Sequence, residues 1–338
     1  MPVFERVVGA WWRLTVPAGG RYNPPDVQTS PWDPESVTTV LDAQGKLAEG
    51  ADVASVDLRA YYKRLVIARI VDLRLSRLGL PMWAPSGGEE APTVATAGVA
   101  RENEWIYPGP RDNAVALARG GDVDELVARV LGRGHGGGGS LPGRVGSADV
   151  RVATTTNALG LHLPMAAGHA RAVQLEGSNA AVFVLFGEGL TTTGAFHETV
   201  ALAGRGDLPL VMVCRSQLWP NEAPAEAGLF GDSVQERATA CGIWARRADG
   251  ADPVGVWNTL ATAADRARGG HGPSLVEVVV TPLVHDPPPH RDPIDRLRLH
   301  LDAEGLWTQT FQDVVEAEVR QALAVALEAN GFPKEGEA

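Results

Sequence analysis

Two hydrophobic rhythms alternate along this chain. From Asp57 the apolar residues Leu58, Tyr62, Leu65, Val66, Val71 and Leu75 recur mostly at three- and four-residue steps. That spacing predicts an amphipathic helix, which Pro81 ends. Residues 89–100 are rich in Ala, Thr and Val and predict a helix able to pack closely on its neighbours. Residues 122–131 predict a third helix with Asp122 as its N-cap, residues 158–173 an Ala-rich one, and residues 310–330 a long amphipathic one. The other rhythm is unbroken: residues 180–186, 208–214 and 274–280 are almost wholly apolar, with no polar alternation. Such runs predict strands covered on both faces. Helical segments at 194–203 and 252–268 lie between them. Strand and helix in turn predict an α/β fold, a mostly parallel sheet with helices on both faces.

Residues 1–55 break the pattern. They are rich in Pro, Gly and aromatics, with Trp11-Trp12 and Pro31-Trp32-Asp33-Pro34, and read as an extended arm lying over its own domain or over a partner subunit. The expected organisation is an arm at 1–55, an α/β domain at 56–282, and a loop with a C-terminal helical segment at 283–338 packing on that domain. A glycine run at 132–140 has no Gly-Lys-Ser/Thr after it, so it is not a Walker loop. It reads as a flexible loop or as one lining a cofactor or partner surface.

Composition narrows the function. The formal charge is -11, and an acidic chain lacks the basic face that nucleic acid requires. No stretch approaches the ~20 apolar residues of a membrane span, and a cytoplasmic protein is expected. Cys214 and Cys241 are too few for a disulfide framework, and both are expected to be buried free thiols.

The informative stretch runs from Phe183 to Trp219. A strand leads into Gly187-Glu188-Gly189, and the next strand ends near Gln217. Ligands of open parallel sheets bind at the C-terminal ends of strands, so Glu188 and Gln217 are placed to face one crevice. A carboxylate and an amide oxygen suit a hard cation such as Mg2+ or Ca2+. Gly189 and Leu190, opening a helix, would offer backbone N–H groups to a phosphate. The plainer alternative is a tight strand-to-helix turn carrying surface polar residues.

Several segments in the same order resemble one family. Tyr61-Tyr62-Lys63-Arg64-Leu65 is similar to its first helix, and Gly88-Glu89-Glu90-Ala91 to its Gly-His/Gln-Glu-Ala segment. Arg111-Asp112 with Ala116-Leu117-Ala118-Arg119-Gly120 resembles its Tyr-Arg-Asp-His segment and the Ala-Leu-Ala-Arg-Gly run after it. Asp292–Arg298 with Glu304-Gly305-Leu306-Trp307 resembles the lead into its last helix. Over roughly residues 57–330 the chain thus resembles the α subunits of the thiamine-diphosphate-dependent decarboxylating component of 2-oxo acid dehydrogenase complexes, of pyruvate or branched-chain type. The resemblance implies a thiamine-diphosphate-binding fold and a β-type subunit partner in an α2β2 assembly. That partner would supply the glutamate that activates the aminopyrimidine, and a lipoyl acyltransferase core would receive the acyl group. It implies Mg2+ (or Ca2+) held by Glu188, Gln217 and the backbone carbonyl of Trp219. It implies diphosphate contacts from Arg111 and the Gly187–Leu190 turn, and aminopyrimidine contacts from the carbonyls of Asn157 and Leu159.

The chain departs from the family in four places. Glu188 and Gln217 replace Asp and Asn; Pro110 replaces the tyrosine before the arginine; Asn113 replaces a histidine; and the loop carrying the family's catalytic histidine is shortened to 281–290 and rich in Pro. His285 or His290 would then take that histidine's role, or be a solvated loop residue. His162 aligns with a polar family position and is either a catalytic residue or a helix-start packing residue. Two alternatives to an active dehydrogenase remain: a non-catalytic, cofactor-impaired α-like subunit with an assembly role, and thiamine-dependent acyl transfer or carboligation to another acceptor.

Overall fold

The computed structural model describes residues 37–332 apart from 52, 54–55, 81–82, 133–145, 157, 218–232 and 284–288. Asp57 caps α1 (Leu58–Arg77), its carboxylate accepting the Ala60 N–H at 3.0 Å. Then come α2 (Glu90–Val99), β1 (Trp105–Tyr107), the short α3 (Val115–Ala118) and α4 (Val123–Val130), which Asp122 caps as expected. Next are α5 (His162–Leu175), β2 (Val182–Gly187), α6 (Gly194–Arg205) and β3 (Leu210–Gln217). The chain continues through α7 (Val234–Ala240), β4 (Trp244–Asp249), α8 (Pro253–Arg268), β5 (Ser274–Val280), α9 (Pro293–Ala303) and α10 (Gln309–Ala329).

The described strands form one parallel sheet in the order β1-β2-β3-β5-β4. The unbroken apolar runs are explained by what covers them. Phe183, Leu185, Val211, Val213, Val276 and Val278 face the layer that holds α1, α2, α4 and α8–α10. Val182, Val184, Phe186, Leu210, Met212 and Leu275 face α5, α6 and α7. β2, β3 and β5 therefore bury both sets of their side chains, as a doubly covered parallel sheet requires.

Two strands escaped the sequence reading. β1 is only three residues long. β4 reads Trp-Ala-Arg-Arg-Ala-Asp, too charged for a buried run, because it is the sheet edge: Arg246 is exposed while Arg247 lies 3.6 Å from buried Glu277. Beside this edge lies the described end of the predicted arm. Thr38 N–H donates to the Arg247 carbonyl at 2.9 Å, and Leu41 is fully buried. Asp252, the N-cap of α8, also accepts the N–H groups of Val40 and Leu41. The segment from residue 37 thus lies on its own domain; residues 1–36 and the glycine run beyond Gly132 fall outside the described residues. At the other end, α10 packs on α1 and α4, with Tyr62 Oη donating to Gln312 Oε1 at 2.8 Å. Cys214 is buried as expected, but Cys241 is exposed, because it caps the outward C-terminal end of α7 just before the left-handed Gly242.

Candidate functional site

Three segments converge at the C-terminal end of the sheet. β2 ends at Gly187, which is in register with Arg215 on β3, so Glu188 and Gln217 emerge side by side. The third segment is the turn at 86–89 that leads into α2. It is held from several sides: Ser86 N–H donates to Asp72 Oδ2 at 3.0 Å, and Gly88 N–H to both Glu90 carboxylate oxygens at 3.1 Å. Glu90 in turn pairs with Arg69, which also binds Asp292 at 2.8 Å. Gly88 is obligatory here, since its φ is +90° and a Cβ would lie 2.4 Å from the Thr281 carbonyl oxygen. This bracing delivers Glu89 to the cavity.

Glu89, Arg111, Gly187, Glu188, Gly189, Arg215 and Gln217 line a pocket of about 200 Å³. Gln217 Nε2 donates to Glu89 Oε1 at 2.6 Å. The buried Arg215 guanidinium lies 3.6 Å from Glu89 Oε2 and 3.2 Å from Asp112 Oδ1, contacts that do not reach hydrogen-bond geometry. Its Nε and Nη1, and Glu89 Oε2, have no hydrogen-bond partner although they are buried. Asp112 is fixed independently by the Thr93 hydroxyl and the Gly109 N–H, both at 2.8 Å. Burial pushes the Glu188 carboxyl up; its own N–H and that of Gln217 oppose the shift, and Glu89 adds to it. Burial likewise raises Glu89, against the pull of Arg215 and Arg111.

The structure therefore brings Glu188, Gln217, Gly187, Gly189 and Arg111 to one cavity. Arg111 is exposed, its guanidinium donating to the Pro85 carbonyl. Leu190 is buried under the turn. The helix expected to open at Gly189 is instead a 3-10 turn, Glu188–Thr192, and α6 begins only at Gly194 with Thr193 as its cap. Thr191, Thr192 and Thr193 hydroxyls bond back to the carbonyls of Glu188, Gly189 and Leu190, which favours the tight turn over a regular helix start. Leu159 is exposed beside this turn, since Gly160 packs against Leu190 and Ala195. His162 does not line the cavity. It is buried behind β2 with Nε2 3.0 Å from the Leu185 carbonyl, and burial lowers its pKa. Asn113 donates to the Ala84 carbonyl at 3.3 Å, and His290 is exposed in a 3-10 turn. Asn157, Trp219 and His285 lie outside the described residues.

Sequence reasoning missed Arg215 and Glu89. The signal for Arg215 was a cation inside an apolar strand, where charge is rarely buried without a purpose. Taking the strand to end at Cys214 hid it; the strand runs to Gln217.

The family described as "Dehydrogenase E1 component" matches residues 59–281. The chain is 27% identical to the pyruvate dehydrogenase E1 component subunit alpha of Bacillus cereus, over 88% of this chain and 85% of that one. It is 29% identical to the 3-methyl-2-oxobutanoate dehydrogenase subunit alpha of Mycobacterium tuberculosis, covering 80% and 77%. It is 30% identical to the 2-oxoisovalerate dehydrogenase subunit alpha of Bacillus subtilis, covering 68% and 71%. With two thirds of its length inside the family's bounds and these alpha subunits as relatives, the chain belongs to the dehydrogenase E1 component family.

Proposed function

We propose that the chain is the α-type subunit of a thiamine-diphosphate-dependent 2-oxo acid dehydrogenase. It acts with a β-type subunit in an α2β2 assembly and passes its acyl product to a lipoyl acyltransferase core. The supporting observation is the buried Arg215, beside Glu89 and Asp112 but with no hydrogen bond at Nε or Nη1, which lines a cavity shared with Glu188 and Gln217. An unsatisfied buried guanidinium is costly, and a diphosphate is the charged acceptor that its fork matches.

The residues present fit that group. Glu188 and the Gln217 amide oxygen would hold Mg2+ or Ca2+, with the Trp219 carbonyl as a further ligand. Arg215 from below and Arg111 from the rim would hold the diphosphate, with the backbone N–H groups of Gly189 and Leu190. Asn157 and Leu159 would offer carbonyls to the aminopyrimidine. Thiamine diphosphate, when bound, supplies the carbanion chemistry that decarboxylates the 2-oxo acid. The chain's own work is to neutralise the diphosphate, orient it and keep water out. His162 holds the end of β2 through the Leu185 carbonyl, and His285 is assigned the proton exchange of the missing loop histidine. Residues 1–36 are assigned to an arm that reaches the partner, and the assembly to the cytoplasm. No helix among the described residues is long and apolar enough to cross a membrane.

The test is release of labelled carbon dioxide from 2-oxo acids by the chain together with its β-type partner. Release that depends on both added thiamine diphosphate and Mg2+ is expected. Release that is absent from all pyruvate-type and branched-chain 2-oxo acids, with a competent partner present, refutes the dehydrogenase assignment.

A further inference from the structure

The Glu89 carboxylate is almost wholly buried at the wall of the cavity. We infer that Glu89 is the positioning residue for Gln217, turning that side chain's amide oxygen toward Glu188 and the cavity. The inference rests on the cation reading proposed above.

A glutamine side chain presents an oxygen and an NH2 of nearly the same shape, and only the oxygen can ligate a cation. What surrounds the amide must choose between them. Glu89 Oε1 accepts from the amide Nε2 at 2.6 Å, which holds the NH2 toward Glu89 and leaves the amide oxygen on the other side. Glu89 is the fixed member of this pair. Its own N–H donates to the Ser86 carbonyl at 2.8 Å, the neighbouring Gly88 is tied to Glu90, and Arg215 lies 3.6 Å from its second oxygen as counter-charge. Gln217 is the follower, half-buried on the last residue of β3. A family Asn is one methylene shorter and has fewer torsions to fix; the longer Gln217 needs an external hold, which Glu89 provides. Replacing Glu89 by Gln removes the choice, because a second amide can either accept from Gln217 or donate to it.

The test is a double-mutant cycle on Mg2+ affinity. It is measured by titration calorimetry on the full chain with its β-type partner, at saturating thiamine diphosphate, with thermal unfolding as the folding control. Glu89→Gln, which keeps the size, should weaken Mg2+ binding about tenfold, equivalent to about 1.4 kcal/mol, while the complex still unfolds in one cooperative transition well above the temperature of the titration. In a Gln217→Ala background the same substitution should have no further effect, since no amide remains to orient. Glu89→Gln binding Mg2+ as tightly as the unmodified complex overturns the inference. So does a tenfold loss that persists on top of Gln217→Ala, which would mean that Glu89 acts through its charge alone. If the unmodified complex takes up no Mg2+ with cofactor present, the cation reading fails and this role with it. Binding to the unmodified complex that Glu89→Gln leaves intact removes the positioning role only.

Discussion

Replacing Arg215 by Lys separates what this side chain does for the fold from what it does for the ligand. In the fold, the guanidinium is the counter-charge of two buried carboxylates, Glu89 at 3.6 Å and Asp112 at 3.2 Å. Removing the charge, as in Arg215→Met, strands both and should cost about 3–5 kcal/mol. Lysine keeps the charge, so the fold should lose much less stability than with Arg215→Met. The ligand should notice far more. Nε and Nη1 carry no hydrogen bond within the protein, although Nη1 lies beside both carboxylates, and a single ammonium cannot reproduce the planar fork that offers both. A hydrogen bond to a charged group contributes about 1.5–3 kcal/mol, so losing one should weaken thiamine diphosphate binding about 10- to 150-fold. Calorimetric titration at saturating Mg2+ reads the affinity, and denaturant unfolding reads the stability. A Lys variant that binds cofactor within about twofold of the unmodified complex refutes the reasoning. So does one that loses several kcal/mol of stability, because the charge would then not be the structural part.

Other consequences can be checked on the same material. Gly88→Ala forces a left-handed residue onto the Thr281 carbonyl, 2.4 Å from the new Cβ; it should destabilise the fold by about 2 kcal/mol or more in urea unfolding. Glu104 is buried, yet two hydrogen bonds from Arg268 and the N–H groups of Ala181 and Arg101 outweigh burial and hold its carboxyl low. A carboxyl depressed in the folded state contributes stability above its unfolded pKa and loses it as pH falls through the folded value. Glu104→Gln should therefore cost about 3 kcal/mol at neutral pH and flatten the loss of stability below the ordinary carboxylate range, as measured by urea midpoints against pH. Asp252→Ala removes the acceptor for the N–H groups of Val40, Leu41 and Gly255. It should cost about 2 kcal/mol or more and speed amide hydrogen exchange at Val40 and Leu41 ahead of the sheet.

The fold was legible where burial is uniform. β5 was bounded to the residue because both its faces are covered, and α4 because Asp122 announces its cap. It was illegible where one side of an element is wet or charged: β4 hides its strand character behind Arg246 and Arg247. The site was legible in its outline, since Glu188 and Gln217 do meet at adjacent strand ends. Its inner layer was not. Glu89 and Arg215 reach the cavity through tertiary packing, one from the Asp72- and Glu90-braced turn and one from inside a strand, and neither leaves a local periodic trace. The turn after β2 looked like a helix start because Gly189 and Leu190 suit one; three consecutive threonine hydroxyls bonding backwards made it a 3-10 turn instead.

The central claim is that the cavity between Glu188, Gln217 and Arg215 holds a metal-bound diphosphate. Titrating thiamine diphosphate into the chain with its β-type partner, in the presence of Mg2+ or Ca2+, tests it directly. Saturable binding at one site per chain that disappears when the cation is chelated is the predicted result. Absence of binding at millimolar cofactor with either cation would contradict it.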